Sequence, residues 1–291
     1  MKAIIPVAGF GTRMLPASKA IPKEMITLLD RPLIQYVIEE AYLAGIKEVI
    51  LVTHTTKSAI ENHFDTNFEL EWQLEQKNKC DILASVRSVC PPDLTISSVR
   101  QSKGLGLGHA ILCAKEAAST DNIAVLLPDV LINNVLSNHS TDNLATMINR
   151  FDNTGFAQVM VESVAQQDVV KYGIADFKGQ VEQGNSGRVN GFVEKPDVEN
   201  APSTLAVVGR YVLPKAIWSY LEKLEPGAGG EKQLTDAIDA LVKDEVVEAF
   251  YMTGKSHDCG NIEGYVSTFV EYALKDERYA GCVKRALQSF G

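Results

Sequence analysis

Three short apolar runs constrain the fold of this chain more than any other feature. Residues 2–8 (KAIIPVA), 48–53 (EVILVT) and 123–127 (IAVLL) are too short for core helices and too continuously apolar for strands with one wet face. They read as strands buried on both faces, and such strands need a layer of helices on each side. The intervening segments supply those helices. Pro32 opens one that carries Ile34, Val37, Ile38 and Ala41 on one face and stops at Gly45. A helical stretch at 58–64 follows, then a charged helical excursion over 69–89 ended by Pro91-Pro92. Residues 94–99 read as another strand, and 109–118 as a helix behind the glycine-rich GLGLGH. This alternation predicts an α/β fold: a Rossmann-like mixed, mostly parallel sheet flanked by helices.

The second half has a different texture. Short strands are predicted at 157–162, 173–177, 188–193 and 205–212, separated by turns bearing Gly and Asn. Pro214 starts a helix reaching Leu224, and the flexible PGAGG (226–230) leads into a helix at 233–243. A strand at 247–252, the loop GKSHDCGN (254–261) and helices at 262–275 and 277–289 complete the chain. With no repeat, low-complexity tract or long linker, residues 1–291 are expected to form a single domain. Its parts are a half at 1–155, a half at 156–260 and C-terminal helices at 261–291.

Composition narrows the function. A net charge of −9 with 45% apolar residues describes an ordinary globule and disfavours a nucleic-acid or anionic-membrane binder, which needs excess Lys and Arg. The charge is unevenly spread. Residues 1–31 hold Lys2, Arg13, Lys19, Lys23 and Arg31 against Glu24 and Asp30 only. Five widely spaced cysteines without a C-x-x-C pair suit neither a disulfide framework nor zinc, so a reducing cytoplasm is expected. Neither a signal-peptide pattern nor a membrane-spanning run is present in the sequence.

Ligands of open α/β sheets sit beyond the carboxyl ends of the parallel strands. Behind the first strand lies GFGTRMLPASKAIPKE (9–24), behind the second His54, behind the third Gln101 and the glycines 104, 106 and 108, and behind the fourth Asp129. The first loop does not complete a dinucleotide fingerprint, because Met14 occupies the third glycine position, nor does Gly-Lys-Ser/Thr follow as in a Walker loop. Pro16 and Pro22 keep a helix from starting there. The segment is instead a proline-stiffened loop whose glycines admit phosphate and whose Arg13, Lys19 and Lys23 can neutralise it. Asp129 is placed to reach a cation held on those phosphates.

Taken with ENHFDT (61–66), VRQ (99–101), GLGLGHA (104–110), LLPDV (126–130), VEKP (193–196), VGRYVL (208–213), QLTDAID (233–239) and HDCGN (257–261), this loop resembles the sugar-nucleotide pyrophosphorylases. The likeness covers nearly the whole chain. It implies a nucleotide-diphospho-sugar transferase fold with a nucleotide-binding first half and a sugar-phosphate-binding second half. It also implies Mg²⁺-assisted uridylyl transfer from UTP to glucose 1-phosphate, giving UDP-glucose and pyrophosphate. By that resemblance Arg13 and Lys23 are catalytic, and Ala8, Gly9, Gly11, Thr12, Glu24, Gln101 and Gly106 bind the nucleotide. Tyr172, Gly173, Glu194, Lys195 and Gly209 take the sugar phosphate, and Asp129 and Asp258 hold the metal. Relatives are homodimers or homotetramers, so a homo-oligomer is implied.

Simpler readings stand beside these. Lys23 can brace its loop against Glu24, Asp258 can cap backbone N–H groups, and Gln101 can be a turn residue. His54, His63, His109 and His139 read as structural. Rival functions are a nicotinamide dehydrogenase, a pyrophosphorylase for dTTP or another sugar, and a regulatory homologue without activity.

Overall fold

The computed structural model describes residues 1–177, 179–227 and 230–289. The first half contains β1 (Lys2–Pro6), β2 (Thr27–Leu28), β3 (Arg31–Pro32), α1 (Leu33–Leu43), β4 (Glu48–Thr53) and α2 (Ser58–Phe64). It continues through α3 (Phe68–Gln76), α4 (Cys80–Arg87), β5 (Thr95–Arg100), α5 (Leu107–Cys113), β6 (Ile123–Leu126), β7 (Val130–Ile132) and α6 (Leu144–Thr154). The second half adds β8 (Ala157–Ser163), β9 (Gly173–Phe177), β10 (Ser186–Glu194), β11 (Leu205–Leu213), α7 (Ile217–Glu222) and α8 (Leu234–Val242). It ends with β12 (Val247–Tyr251), β13 (Ser256–Asp258), α9 (Ile262–Lys275) and α10 (Ala280–Gln288).

Among the described residues, a nine-stranded sheet runs through both halves in the order β5-β4-β1-β6-β11-β8-β12-β10-β9. The alternation of Ile4 and Ile5 on β1 builds a core on each face. Ile5, Leu51 and Leu126 pack with Ile34, Val37 and Ile38 of α1 and Met147 and Phe151 of α6. Ile4, Ile50 and Val125 pack with Ile111 of α5, Leu221 of α7 and Ile238 of α8.

The sheet is mixed rather than mostly parallel. Among the described residues, β4–β5, β1–β4, β1–β6 and β8–β12 run parallel, whereas β6–β11, β8–β11, β9–β11, β9–β10 and β10–β12 run antiparallel. Parallel pairing dominates only where helices separate the strands. The link from Phe177 to Ser186 is shorter than the roughly dozen residues a parallel crossover needs, so β10 must return beside β9.

Local differences have local causes. The 69–89 excursion breaks into α3 and α4 at Asn78, which has a positive φ of 53°. The segment 254–261, expected as a loop, contains β13, and α6 and β7 were not anticipated. Ala228 and Gly229 of the PGAGG lead lie outside the described residues, as do Phe290 and Gly291. The prolines of the first loop act as expected. It winds through single 3₁₀ turns at Thr12–Met14, Ala17–Lys19 and Lys23–Met25 and forms no α-helix. Among the described residues, no helix is long and apolar enough to cross a membrane.

Candidate active site

The strand order places β1 between β4 and β6, so the chains leaving the carboxyl ends of β1 and β6 diverge around one crevice. Lys23 arrives from the β1 loop and Asp129 from the turn after β6, and Lys23 Nζ donates to Asp129 Oδ2 at 2.6 Å. Lys23 therefore does not brace Glu24. Burial raises the Asp129 carboxyl, but the Lys23 ammonium, with Arg13 beyond it, outweighs burial and holds it below the ordinary range. Arg13 stays largely exposed. Its Nη2 lies 3.8 Å from Asp129 Oδ2, and its Nη1 lies 3.8 Å from Asp258 Oδ2.

Asp258 reaches the same point through a strand pair too short to leave a sequence pattern. β13 runs antiparallel to β7, and Asp258 stands opposite Val130, one residue beyond Asp129. Cys259 N donates to Asp129 O at 2.7 Å, tying the two aspartate segments together. Asp258 also accepts from Gly260 N at 2.8 Å and Asn261 Nδ2 at 3.0 Å, so the simpler capping role holds. A Cβ added at Gly260 would lie 2.5 Å from Asp129 Oδ2, 3.0 Å from Asp258 Oδ1 and 2.8 Å from Arg13 Nη2. Gly260, which the sequence reading did not single out, keeps open a cradle between two carboxylates. Two hard oxygen donors of this kind suit Mg²⁺, which takes one or two carboxylates and leaves its other positions to water and phosphate. Among the described residues no group of three or more His, Cys, Asp or Glu side chains is gathered for a metal.

Around this charge cluster the backbone is open. Gly9, Phe10 and Thr12 are exposed and Ala8 is half-buried, and a Cβ at Gly9 meets nothing within 4 Å. Gly11, at φ 65°, packs on the aliphatic stem of Lys23. Glu24 departs from its expected nucleotide contact. It is 1% exposed beneath the loop, where Lys57 Nζ donates to its Oε2 at 2.8 Å. Burial raises its carboxyl against the opposing pull of Lys57. Glu24 thus braces the loop from below, and no sequence pattern marks Lys57 as its partner.

On the other side of β1, Gln101 is 6% exposed, and its Nε2 donates to Gly106 O at 3.2 Å and His109 Nδ1 at 3.0 Å. Both amide hydrogens are used within the chain, so Oε1 is the atom left for a ligand. His109 is held below the ordinary imidazole range, first by burial and then by Lys232, which suits a neutral ring accepting at Nδ1. This positioning role was missed by reading His109 as purely structural. Gly106 and Gly108 are glycines for packing reasons. A Cβ at either would press within 3 Å of the Lys232 carbonyl oxygen.

The remaining candidates cluster where β9, β10 and α8 meet. Glu194 stands opposite Gly173, and a Cβ on Gly173 would lie 3.1 Å from Glu194 Oε2. Thr235 Oγ1 at the start of α8 donates to Glu194 Oε2 at 3.1 Å, and Lys195 Nζ lies 3.4 Å from Glu194 Oε1. Lys195 is exposed on a left-handed backbone, φ 47°, a strain that recurs at functional sites. Its N–H donates to Tyr172 O at 3.0 Å. Burial raises the Tyr172 hydroxyl and the charge of Asp258 adds to it, which links this cluster to the aspartate pair. Gly209 is buried at φ 78° against the Leu127 side chain, and its carbonyl accepts from Leu127 N and Arg210.

A cationic loop, two converging carboxylates and an open glycine backbone thus meet at one crevice. The chain belongs to the nucleotidyl transferase family, whose sequence model matches residues 2–275. It is 56% identical over 279 residues to the UTP–glucose-1-phosphate uridylyltransferase of Haemophilus influenzae, covering 96% of this chain and 95% of that one. The structure superposes on a UTP-bound UGPase from Acinetobacter baumannii with a TM-score of 0.93 at 47% identity, covering 100% of this chain and 99% of the other. It also matches a UDP-glucose pyrophosphorylase complexed with UDP-glucose, at TM-score 0.83 and 37% identity, covering 94% and 99% of the two chains.

Proposed function

We propose that this chain transfers the uridylyl group of UTP to glucose 1-phosphate, releasing pyrophosphate and forming UDP-glucose. The observation that carries the reading is the meeting of Lys23 with Asp129, and of Asp129, Asp258 and Arg13 around Gly260, at the crevice where the β1 and β6 loops part. The full-length likeness to relatives of that name supports it.

A phosphate oxygen of glucose 1-phosphate attacks the α-phosphorus of UTP, and the bond to the bridging α–β oxygen breaks as pyrophosphate departs. The nucleophile is already an anion, so no proton is removed and no covalent enzyme intermediate is needed. Positioning and charge neutralisation then carry the reaction. Lys23 neutralises the α-phosphate, and the exposed Arg13 fork receives the departing pyrophosphate. Asp129 and Asp258 would hold Mg²⁺, which would supply charge stabilisation at the phosphates when bound. Lys195 takes the phosphate of glucose 1-phosphate, Glu194 accepts sugar hydroxyls, and Tyr172 and Gly173 line that end.

Gln101 Oε1 accepts the N3–H of uracil. Cytosine, whose N3 is an acceptor, is rejected, but thymine shares the N3–H, so this contact alone does not separate UTP from dTTP. The parallel block β5-β4-β1-β6 is the Rossmann-like nucleotide half of this reading, residues 1–155, with the sugar-phosphate half at 156–260. The protein is further read as cytoplasmic, consistent with five unpaired cysteines. A homodimer or homotetramer is consistent with the exposed Ile262, Val266, Phe269 and Val270 on α9.

The test is pyrophosphate release with UTP, dTTP and CTP crossed against glucose, galactose and N-acetylglucosamine 1-phosphates. UTP with glucose 1-phosphate gives the highest kcat/KM, and CTP gives little turnover. No release with any pair overturns the reading.

A further inference from the structure

Arg210 is the one charged residue in the apolar run LAVVGRYVL of β11, and it is fully buried. Burying a guanidinium is costly unless every N–H is satisfied. Here five bonds satisfy it. Nε donates to Glu40 Oε1 at 3.0 Å and Nη2 to Glu40 Oε2 at 2.8 Å, a bidentate pair with α1. Nη1 donates to Leu127 O at 3.1 Å and Gly209 O at 3.2 Å, and Nη2 donates to Val130 O at 2.7 Å. Leu127 and Val130 flank Pro128-Asp129. One rigid fork therefore grips the backbone on both sides of the turn that carries Asp129, and Glu40 fixes the fork from behind.

We propose that Arg210 is a positioning residue for Asp129. It pins the turn after β6 so that the carboxylate meets Asp258 across Gly260 in the geometry a divalent cation requires. Mg²⁺ tolerates little departure from octahedral geometry, so the turn must be held in place as well as present. A lysine cannot replace the fork, because one ammonium cannot span the Glu40 carboxylate and both carbonyls. The inference rests on the reading of Asp129 as a metal carboxylate and adds the element that aims it.

The experiment measures Mn²⁺ binding to the protein with UTP present, from the paramagnetic resonance of free Mn²⁺, alongside the melting temperature. The variants are Arg210→Lys, the double change Glu40→Met with Arg210→Met, and Asp129→Asn. The double change removes both buried charges together, a replacement that proteins often tolerate. The proposal expects a double variant that melts near the native temperature yet binds Mn²⁺ about tenfold or more weakly, with Arg210→Lys weakened as well. Native Mn²⁺ affinity in the folded double variant overturns it, as does failure of every Arg210 variant to fold, which would make the residue purely structural. If Asp129→Asn binds normally, the metal reading fails. If Asp129→Asn is impaired and the Arg210 variants are not, only the positioning role fails.

Discussion

Gly260→Ala tests the carboxylate cradle without changing any charge. Gly260 has no left-handed φ, so alanine fits its backbone. The new methyl, however, would sit 2.5 Å from Asp129 Oδ2 and 3.0 Å from Asp258 Oδ1. Ordinary contact starts at 3.4 Å, so the Asp129 oxygen would have to retreat by about 0.9 Å. It has little freedom to do so, because Lys23 Nζ holds that same oxygen at 2.6 Å. A misplacement of about 1 Å at a reacting centre costs on the order of 100-fold, about 2.7 kcal/mol of activation free energy. Pyrophosphate release at saturating UTP and glucose 1-phosphate, repeated across a Mg²⁺ titration, should show kcat down by about two orders of magnitude and a raised Mg²⁺ requirement. The melting temperature monitors the fold. A folded variant with kcat within about threefold of native and an unchanged Mg²⁺ half-saturation would refute the cradle.

Other predictions address the sugar end and the fold. Lys195→Ala should raise the KM for glucose 1-phosphate about tenfold or more, while leaving the KM for UTP near native, since a charge-assisted hydrogen bond to one substrate is lost. Equal changes in both constants would count against the assignment. Stability should fall as pH drops through 6.5, because His63, His109 and His139 are each held below that value, chiefly by burial. The unfolded chain then takes up protons that the folded rings refuse, so this contribution is present above 6.5 and is lost as pH falls through the depressed values. Melting temperatures measured downward from neutral pH test the sign, and a rise on acidification would contradict it.

The parts of the fold legible in the sequence are those that leave a periodic trace. The continuous apolar runs became β1, β4 and β6, and the proline and glycine stops marked the ends of α1. Strand direction was less legible, because the apolar pattern of β11 and β12 does not encode which neighbour they join. β7 and β13, three residues each, exist only through their mutual pairing, and no window that short has a period. Yet this pair brings Asp258 to Asp129. Lys23, Asp129 and Gln101 stood out in the sequence because each lies on a connection leaving a strand. The partners that hold Glu24 and Gln101 left no such trace. Lys57 lies under Glu24 and His109 beside Gln101 through contacts between elements far apart in sequence or across a turn. Arg210 was visible only as a lone charge in an apolar strand, a signal that indicates burial without naming the partner.

The most direct test of uridylyl transfer by charge and position alone is exchange of labelled pyrophosphate into UTP. With UTP, Mg²⁺ and labelled pyrophosphate alone, direct displacement predicts no labelled UTP, because no uridylylated enzyme forms. Adding UDP-glucose should start the incorporation, since pyrophosphate then attacks the uridylyl phosphorus in the reverse reaction. Labelling of UTP in the absence of any sugar substrate would mean a covalent uridylyl-enzyme and would contradict the account.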